Sequence, residues 1–493
     1  MTASTGLFKS SVISDATGNG GIITNNAVID NAAANLFPHV PESERTAGQT
    51  RYRKAHIKKL SGTLTEAKFM ADRLSTAGDY MQITRGGYDD TQETADDIGW
   101  EDTNITWTSG TRKVTMAATH PELAVGTLVL FTTSAGAFRG LATVASYIDT
   151  QNFTISTMIR GSDPANTDHA RTFWIGSGDL HTALTGGVST TIVADYEAAS
   201  GVYVGMYVAL VDWDVLDGDG LPLIEYCLVT AVSWASEEAT ITVSSAIVSN
   251  HAVKTQGIVE GTEGETFDLD GLTLIIKVNG GDSQTITFAA DGQTAAEVVA
   301  TINATLVGAT AAVYDTDKVS IETDDYYAEN SIQVVSDSTA DTELGLDNSV
   351  HYGTTGTVVA GVLELGTVAA DHSTPVKSSA LGTFTDNITD YDLGATYDTF
   401  TVTFSSATEF TVAGASSGTI GSGVITSAFA VAHWGSYYFA IPTSCWGGTW
   451  ASADTVTFTT YPSARGIWFK EVVPALTDAY SGNQATFTLD GES

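Results

Sequence analysis

The residues whose type and spacing come closest to a chemical site are four aspartates in one short segment, Asp212, Asp214, Asp217 and Asp219. Carboxylate oxygens are the ligands that Ca²⁺ prefers, so these side chains are candidate calcium ligands. The spacing differs from that of an EF-hand loop, because the fifth position is Leu216. Asp and Gly are also the residues that ordinary turns select, and a turn is the interpretation that we favour.

No other group of residues has the spacing of a known catalytic motif. The chain lacks the HExxH and P-loop patterns, and its nine histidines are scattered singly. Asp454 and Glu471 lie near tryptophans, but their separation in sequence gives no support for a glycosidase pair. Trp446 and Trp450 suit a hydrophobic core better than a sugar-stacking surface. We therefore predict a protein that is not an enzyme and has no cofactor.

Composition indicates a mainly β fold. The 493 residues are 43% hydrophobic and 16% charged, with 48 glycines and many Thr, Ser, Ala and Val residues. The length predicts several domains of β-sandwich or β-barrel type. A net charge of −37 argues against nucleic acid and anionic membranes as partners, because both require Lys and Arg. With no secretory signal or apolar span in the sequence, we expect a soluble protein made in the cytoplasm.

The charge is unevenly distributed. Residues 1–85 contain ten Lys or Arg and seven Asp or Glu, a balance of +3 that leaves −40 for the rest. We predict that residues 1–60 form an extended docking arm and that 48–60 form an edge strand guarded by charge. A basic surface in contact with solvent is the alternative. The predicted partner-binding residues are Phe37, Arg45, Arg51, Tyr52, Arg53, Lys54, Lys58 and Lys59.

Three further domains are predicted after the arm. Residues 61–255 form a β-rich assembly domain, in which 106–180 and 188–247 share an order of parts that suggests a duplicated unit. Residues 256–360 predict a small inserted α+β domain with a helix that begins at the capping box Thr294–Glu297. Residues 361–493 return to β patterns.

Both ends of the chain resemble structural tail proteins of contractile-tailed bacteriophages. The residues that carry the resemblance are Gly18-Asn19-Gly20-Gly21, Thr24-Asn25-Asn26, Asn35-Leu36-Phe37-Pro38-His39-Val40, Glu42-Ser43-Glu44-Arg45, Gly48-Gln49-Thr50-Arg51-Tyr52-Arg53-Lys54, Trp450, Asp454-Thr455-Val456-Thr457-Phe458-Thr459-Thr460-Tyr461-Pro462-Ser463-Ala464 and Ile467-Trp468-Phe469-Lys470-Glu471-Val472-Val473-Pro474-Ala475. The helix sequence of residues 291–303 is similar to that of small spacer domains in phage tail and flagellar hook-associated proteins.

The resemblance implies a structural virion component in the tail or baseplate, similar to the ripcord proteins that clamp the tail tube. The implied partners are other tail proteins of the tube, sheath or wedge, together with further copies of the chain in a threefold or sixfold ring. The implied location is the virion tail, after synthesis in the host cytoplasm. Two alternatives stay open: a tail fibre protein that binds a receptor or saccharide, and a neck or capsid-decoration protein.

Overall fold

The computed structural model describes residues 4–29, 35–73, 79–92, 101–120, 123–135, 137–196, 202–216, 221–235, 238–264, 266–326, 330–477 and 486–492. Over these residues the protein is mainly β with many antiparallel sheets, which confirms the predicted fold class. The chain divides into two compact units: unit 1 comprises 1–177, 199–206 and 361–493, and unit 2 comprises 178–198 and 207–360. None of the helices in the described ranges has the length and apolar character needed to cross a membrane.

The first strands of unit 1 come from the segment that was predicted to be an arm and from the residues after it. They are accompanied by one short helix, α1 (Glu42–Ala47). The strands are β1 (Ser4–Val12), β2 (Gly20–Ala27), β3 (Gln49–Ser61), β4 (Thr65–Arg73) and β5 (Tyr80–Arg85).

A first β-module follows in unit 1. Its apolar core includes Val129, Phe131, Val144 and Phe153, all fully or almost fully buried. Its strands are β6 (Glu101–Asp102), β7 (Thr106–Thr108), β8 (Lys113–Thr115), β9 (Leu128–Thr132), β10 (Phe138–Asp149), β11 (Asn152–Ile155), β12 (Arg160–Gly161) and β13 (His169–Arg171).

A second β-module, most of which lies in unit 2, closes into a barrel in the order β14-β15-β18-β17-β16-β28. The sixth strand, β28 (Thr357–Gly361), follows the inserted domain in sequence. The first five strands are β14 (Ser177–Leu180), β15 (Thr191–Tyr196), β16 (Tyr207–Leu216), β17 (Pro222–Ala235) and β18 (Glu238–Val243).

The two β-modules have the same strand order, as a duplicated unit requires. The first runs β7-β8-β11-β10-β9-β13, which matches the barrel order strand by strand. Their registers also agree: Leu128 pairs with Thr143 as Tyr207 pairs with Leu228. A bulge follows Val144 in β10 and Val229 in β17 at the same position of the pairing.

The inserted domain lies between the fifth and sixth strands of the second module. Helix α2 (Ala295–Asn303) begins at the capping box, because Thr294 and Glu297 each accept a hydrogen bond from the other's backbone N–H. Its buried residues Val298 and Ile302 face the core. A short α3 (Asp341–Leu344) accompanies the strands β19 (Gln256–Glu260), β20 (Thr266–Phe267), β21 (Thr273–Val278), β22 (Gln284–Thr287), β23 (Gln293–Thr294), β24 (Ala309–Tyr314), β25 (Lys318–Tyr326), β26 (Ser331–Val334) and β27 (Val350–Tyr352).

The remaining strands complete unit 1. Val402, Phe404, Val412 and Phe458 alternate with half-buried or exposed residues along their strands, so one face of their six-stranded sheet is apolar. The strands are β29 (Leu363–Gly366), β30 (Asp371–His372), β31 (Val376–Ser378), β32 (Gly382–Phe384), β33 (Thr389–Asp390), β34 (Asp398–Phe404), β35 (Glu409–Gly414), β36 (Gly418–Val424), β37 (Phe429–His433), β38 (Ser436–Ile441), β39 (Trp446–Gly448), β40 (Thr455–Tyr461), β41 (Ala464–Val473) and β42 (Thr486–Glu492).

The two ends of the chain meet in unit 1, so the predicted domain boundaries need correction. One sheet has the order β2-β1-β3-β41-β5, and another has β29-β4-β42. The predicted arm 1–60 and the predicted C-terminal domain 361–493 therefore share a sheet. The predicted assembly domain 61–255 is divided between the two units, and the inserted domain ends before β28 rather than at residue 360.

Equivalent glycines lie two residues before β9 in the first module and β16 in the second. Gly126 and Gly205 have φ values of +94° and +92°. The backbone N–H of the residue after each glycine donates a hydrogen bond to the carbonyl of the residue two positions before that glycine. A Cβ at Gly205 would lie 2.0 Å from Cγ of Phe138. Only glycine suits this position, because the backbone has a positive φ and a side chain would clash with Phe138.

We expect Gly205→Ala to destabilise the protein by about 1–3 kcal/mol more than Gly435→Ala, because only the first substitution adds a clash in a packed site. Gly435 is the matched control, since its φ is +80° and no atom lies within 4 Å of an added Cβ. Urea denaturation of both variants measures the difference. Equal losses of stability would show that the packing against Phe138 is loose.

Candidate functional site

The basic residues predicted to bind a partner are mostly buried and lie on β3, between β1 and β41. Arg51 pairs with Glu44 and Glu471, Arg53 pairs with Asp15, and Lys59 pairs with Asp392. Each of these cations therefore has a carboxylate partner within the chain. Phe37 and Arg45 are half-buried, with Phe37 5.5 Å from the Arg53 guanidinium and Arg45 donating to the Thr477 carbonyl.

Lys54 lies at the centre of this row and is fully buried. Its Nζ contacts the Asp90 carboxylate and donates to the carbonyls of Gly21, at 3.0 Å, and Asp90, at 3.2 Å. The other Asp90 oxygen accepts from Trp468 Nε1 at 2.6 Å. A buried charge needs such complete pairing, because the cost of removing it from water is several kcal/mol.

Burial changes the proton affinity of the neighbouring groups. It lowers the pKa of Lys58 to about 8, and the ammonium donates to the Leu393 carbonyl and lies 4.6 Å from the Trp434 ring. Burial, together with the charge of Lys54, holds the pKa of His56 well below its usual value. Burial raises the pKa of Glu471 to about 7 although Arg51 acts in the opposite direction.

The docking-arm prediction is therefore wrong for residues 49–60. Strand β3 is a central strand rather than an edge, and its Tyr52 lies 5.8 Å from the ring of Trp174 in the same unit. A strand with alternating cations has the same sequence pattern whether the cations face water or buried carboxylates. The carboxylates that pair with the buried cations of β3 are Asp90 and Glu471. Both lie outside β3 and far from it in sequence.

The acidic segment contributes one described side chain to a buried cluster. One Asp212 oxygen lies 2.8 Å from His251 Nδ1, and the other accepts from the Thr357 hydroxyl. Asp212 is 3% exposed, so it is not a free calcium ligand. The side chain of Asp214 and the whole of Asp217 and Asp219 lie outside the described residues.

Asp212, Glu225, His251 and Thr357 form what we call the insertion clamp. His251 precedes the inserted domain and Thr357 follows it, and Asp212 of the barrel binds both. The second ring nitrogen of His251 lies 3.3 Å from Glu225. Burial lowers the pKa of His251, but hydrogen bonds and charges from Asp212 and Glu225 outweigh burial, and the pKa is raised above 6.5. Both nitrogens are thus occupied by carboxylates, which suits a structural role.

Sequence reasoning missed Glu225, His251 and Thr357. The signal available was a lone histidine at the start of the inserted domain, opposite an aspartate that a turn could also explain. Nothing in the spacing connects residues that lie 39 and 145 positions apart. Only the barrel register brings them together.

The hairpin of β16 and β17 extends beyond its counterpart in the first module. Val211 corresponds to Thr132, where β9 ends, but β16 continues for five more residues to Leu216. The extension exposes Val215, Leu216 and Leu221, with exposed fractions of 47%, 61% and 61%. We call these three residues the hairpin tip. They are exposed apolar residues on the extended part of the hairpin, and exposed apolar residues of this kind occur at binding surfaces.

The aromatic residues that could have stacked on sugar belong to a core instead. Trp450 is 2% exposed and stacks on Phe404 with ring centroids 4.4 Å apart. Trp446 packs edge-on against Trp450. Asp454 accepts from Ser379 and from the Ala451 backbone, and these hydrogen bonds lower its pKa. Glu471 is bound to Arg51.

No protein family, curated protein or solved structure matches the chain. The class that the structure defines is a mainly β protein of antiparallel modules.

We expect Lys54→Met to destabilise the protein by about 3–5 kcal/mol, because Asp90 is left as a buried charge without its cation. Lys54→Met with Asp90→Asn should recover part of this loss. Lys318→Met is the control, since the Lys318–Asp315 pair is exposed and should leave stability unchanged. Urea denaturation measures all three; a loss no larger than that of the control would contradict the role given to Lys54.

The stabilisation that the insertion clamp provides should depend on pH. The folded protein raises the pKa of His251 above 6.5, so the clamp stabilises most below this pH and loses stabilisation as the pH rises through the folded value. We expect the stability difference between wild type and His251→Gln to be larger at about pH 6 than at about pH 9. His181→Gln is the control, because that side chain is 52% exposed. A difference that does not depend on pH would rule out a charged His251.

Proposed function

We propose that the protein is a structural subunit of a multiprotein particle, the tail of a contractile-tailed bacteriophage, and that the hairpin tip docks on a neighbouring protein. The resemblance of the chain ends to tail proteins supports the particle. The modular β architecture is compatible with it, since modules of this kind present loops and hairpins from a rigid frame. The observation that carries the docking role is the exposed apolar tip on an extended hairpin.

The composition of the hairpin indicates the chemistry of its partner. In sequence, Asp214, Asp217 and Asp219 lie within a few residues of the hairpin tip, and the whole chain carries a net charge of −37. A partner with an apolar groove bordered by Lys or Arg is therefore complementary in both respects. A second copy of the chain is a poor electrostatic partner for this surface, because its charge has the same sign.

The proposed threefold or sixfold ring of identical copies would then use other surfaces. Strand β2 is the edge strand of its sheet, and edge strands are where strand addition takes place. Deleting residues 1–60 is not a useful test of docking, because β3 is a central strand whose loss would unfold unit 1. Substitutions at the hairpin tip avoid this problem.

We expect the triple variant Val215→Ser, Leu216→Ser, Leu221→Ser to fold normally and to be incorporated into particles about tenfold less than wild type, because an apolar anchor is lost at the interface. Quantitative mass spectrometry of purified particles, assembled in cells that supply only the variant, measures occupancy.

The matched control is Val188→Ser, Val248→Ser, Val307→Ser, three unit 2 residues with exposed fractions of 72%, 80% and 74%. The control should retain full occupancy. Full occupancy of the tip variant, or an equal loss in both variants, would refute docking through the tip. Absence of the wild-type protein from purified tails, tested with a labelled antibody, would refute the assignment to the particle.

A further inference from the structure

A histidine and three aspartates form a cluster in unit 1 that has no part in the proposed docking. Asp371 and His372 belong to β30, which pairs with β40, and Asp390 belongs to β33, which pairs with β38. One ligand atom from each of these three residues lies within 4.8 Å of the others. Strand pairing therefore brings together two carboxylates and an imidazole from separate segments.

The imidazole of His372 is oriented from both sides. Its Nδ1 lies 2.8 Å from Asp390 Oδ2, and its Nε2 lies 2.8 Å from Asp386 Oδ1. The ring also packs edge-on against Phe458 at 6.2 Å. A carboxylate on one ring nitrogen that directs the other nitrogen toward further ligands is the usual outer arrangement of metal-binding histidines.

A second observation comes from the other oxygen of Asp390. This Oδ1 atom is buried and has no hydrogen-bond partner among the described residues. A buried acceptor without a partner is costly and uncommon, because it has lost its hydration with nothing in return. A cation bound at the carboxylate would satisfy it.

We propose that Asp371, His372 through Nδ1, and Asp390 bind a divalent transition-metal ion of the Zn²⁺ type, with Asp386 as the positioning residue for the imidazole. An imidazole nitrogen combined with carboxylates suits Zn²⁺, whereas Ca²⁺ and Mg²⁺ prefer oxygen ligands alone. Three protein ligands leave a coordination position for water. The ring must bind as neutral imidazole, so the proton shared with Asp390 is released to solvent when the metal enters.

A similar group in unit 2 provides an internal control. His181, Asp195 and Glu238 also place their ligand atoms within 4.8 Å of one another. Their side chains are 52%, 53% and 37% exposed, and the two ring nitrogens of His181 are divided between the two carboxylates. No third carboxylate orients the ring among the contacts of the described residues. We therefore expect this exposed group to bind Zn²⁺ far more weakly.

The test is calorimetric titration of Zn²⁺ into the full chain after treatment with a chelator. Wild type should bind one Zn²⁺ ion tightly. His372→Gln should abolish tight binding, Asp390→Asn should weaken it strongly, and Asp386→Asn should weaken it about 10- to 100-fold. His181→Gln should bind as wild type does, and Ca²⁺ should not compete.

Three results would overturn the proposal: no tight binding by wild type, binding unchanged in both His372→Gln and Asp390→Asn, or binding lost in His181→Gln. Circular dichroism checks that each variant is folded. Should the ligand variants unfold, Co²⁺ bound to wild type decides the matter by NMR. Paramagnetic shifts of the His372 ring protons support the site, and shifts confined to His181 or absent altogether refute it.

Discussion

Lys54 is buried in the interior of unit 1 in an ion pair with Asp90, and the surrounding structure is arranged around this pair. Asp90 supplies the opposite charge and also accepts from Trp468 on β41. The Trp468 ring, held in this position, packs closely against Gly20 and Gly86. A Cβ at either glycine would lie within 3 Å of the ring. One ion pair thus ties β2, β3 and β41 together. Its cost in desolvation is offset only while all of these partners are in place.

A comparable arrangement holds the inserted domain in unit 2. The second β-module repeats the strand order, register and bulge of the first but receives a whole domain between its last two strands. Such an insertion needs both of its connections fixed, and Asp212 binds one residue from each. The two modules show how a duplicated frame can diverge. The first keeps a short hairpin, whereas the second has an extended, apolar hairpin and the insertion clamp.

The cations of β3 are buried, whereas the apolar residues of the hairpin tip are exposed. These cations are used inside the fold, while the hairpin tip belongs to a chain with a large negative charge. This distribution reverses the expectation that the basic residues form the contact surface. It also agrees with a basic partner, because the hairpin sequence combines apolar residues with aspartates. The His372 cluster is independent of that surface and lies on different strands.

Local patterns in the sequence were sufficient for the mainly β class, the capping box of α2 and the hairpin of β21 and β22. These features depend on alternation, turn residues and hydrogen bonds between near neighbours, all of which are visible in a short window. The sequence also indicated three matching strands in the two modules, but the predicted bounds 106–180 and 188–247 assigned β14 to the first module and left out β28. Tertiary structure alone decided that β3 is central, that Asp212 contacts His251, and that His372 contacts Asp390. Each of these outcomes depends on which distant carboxylate faces a given side chain, and long-range strand register, not local spacing, determines that.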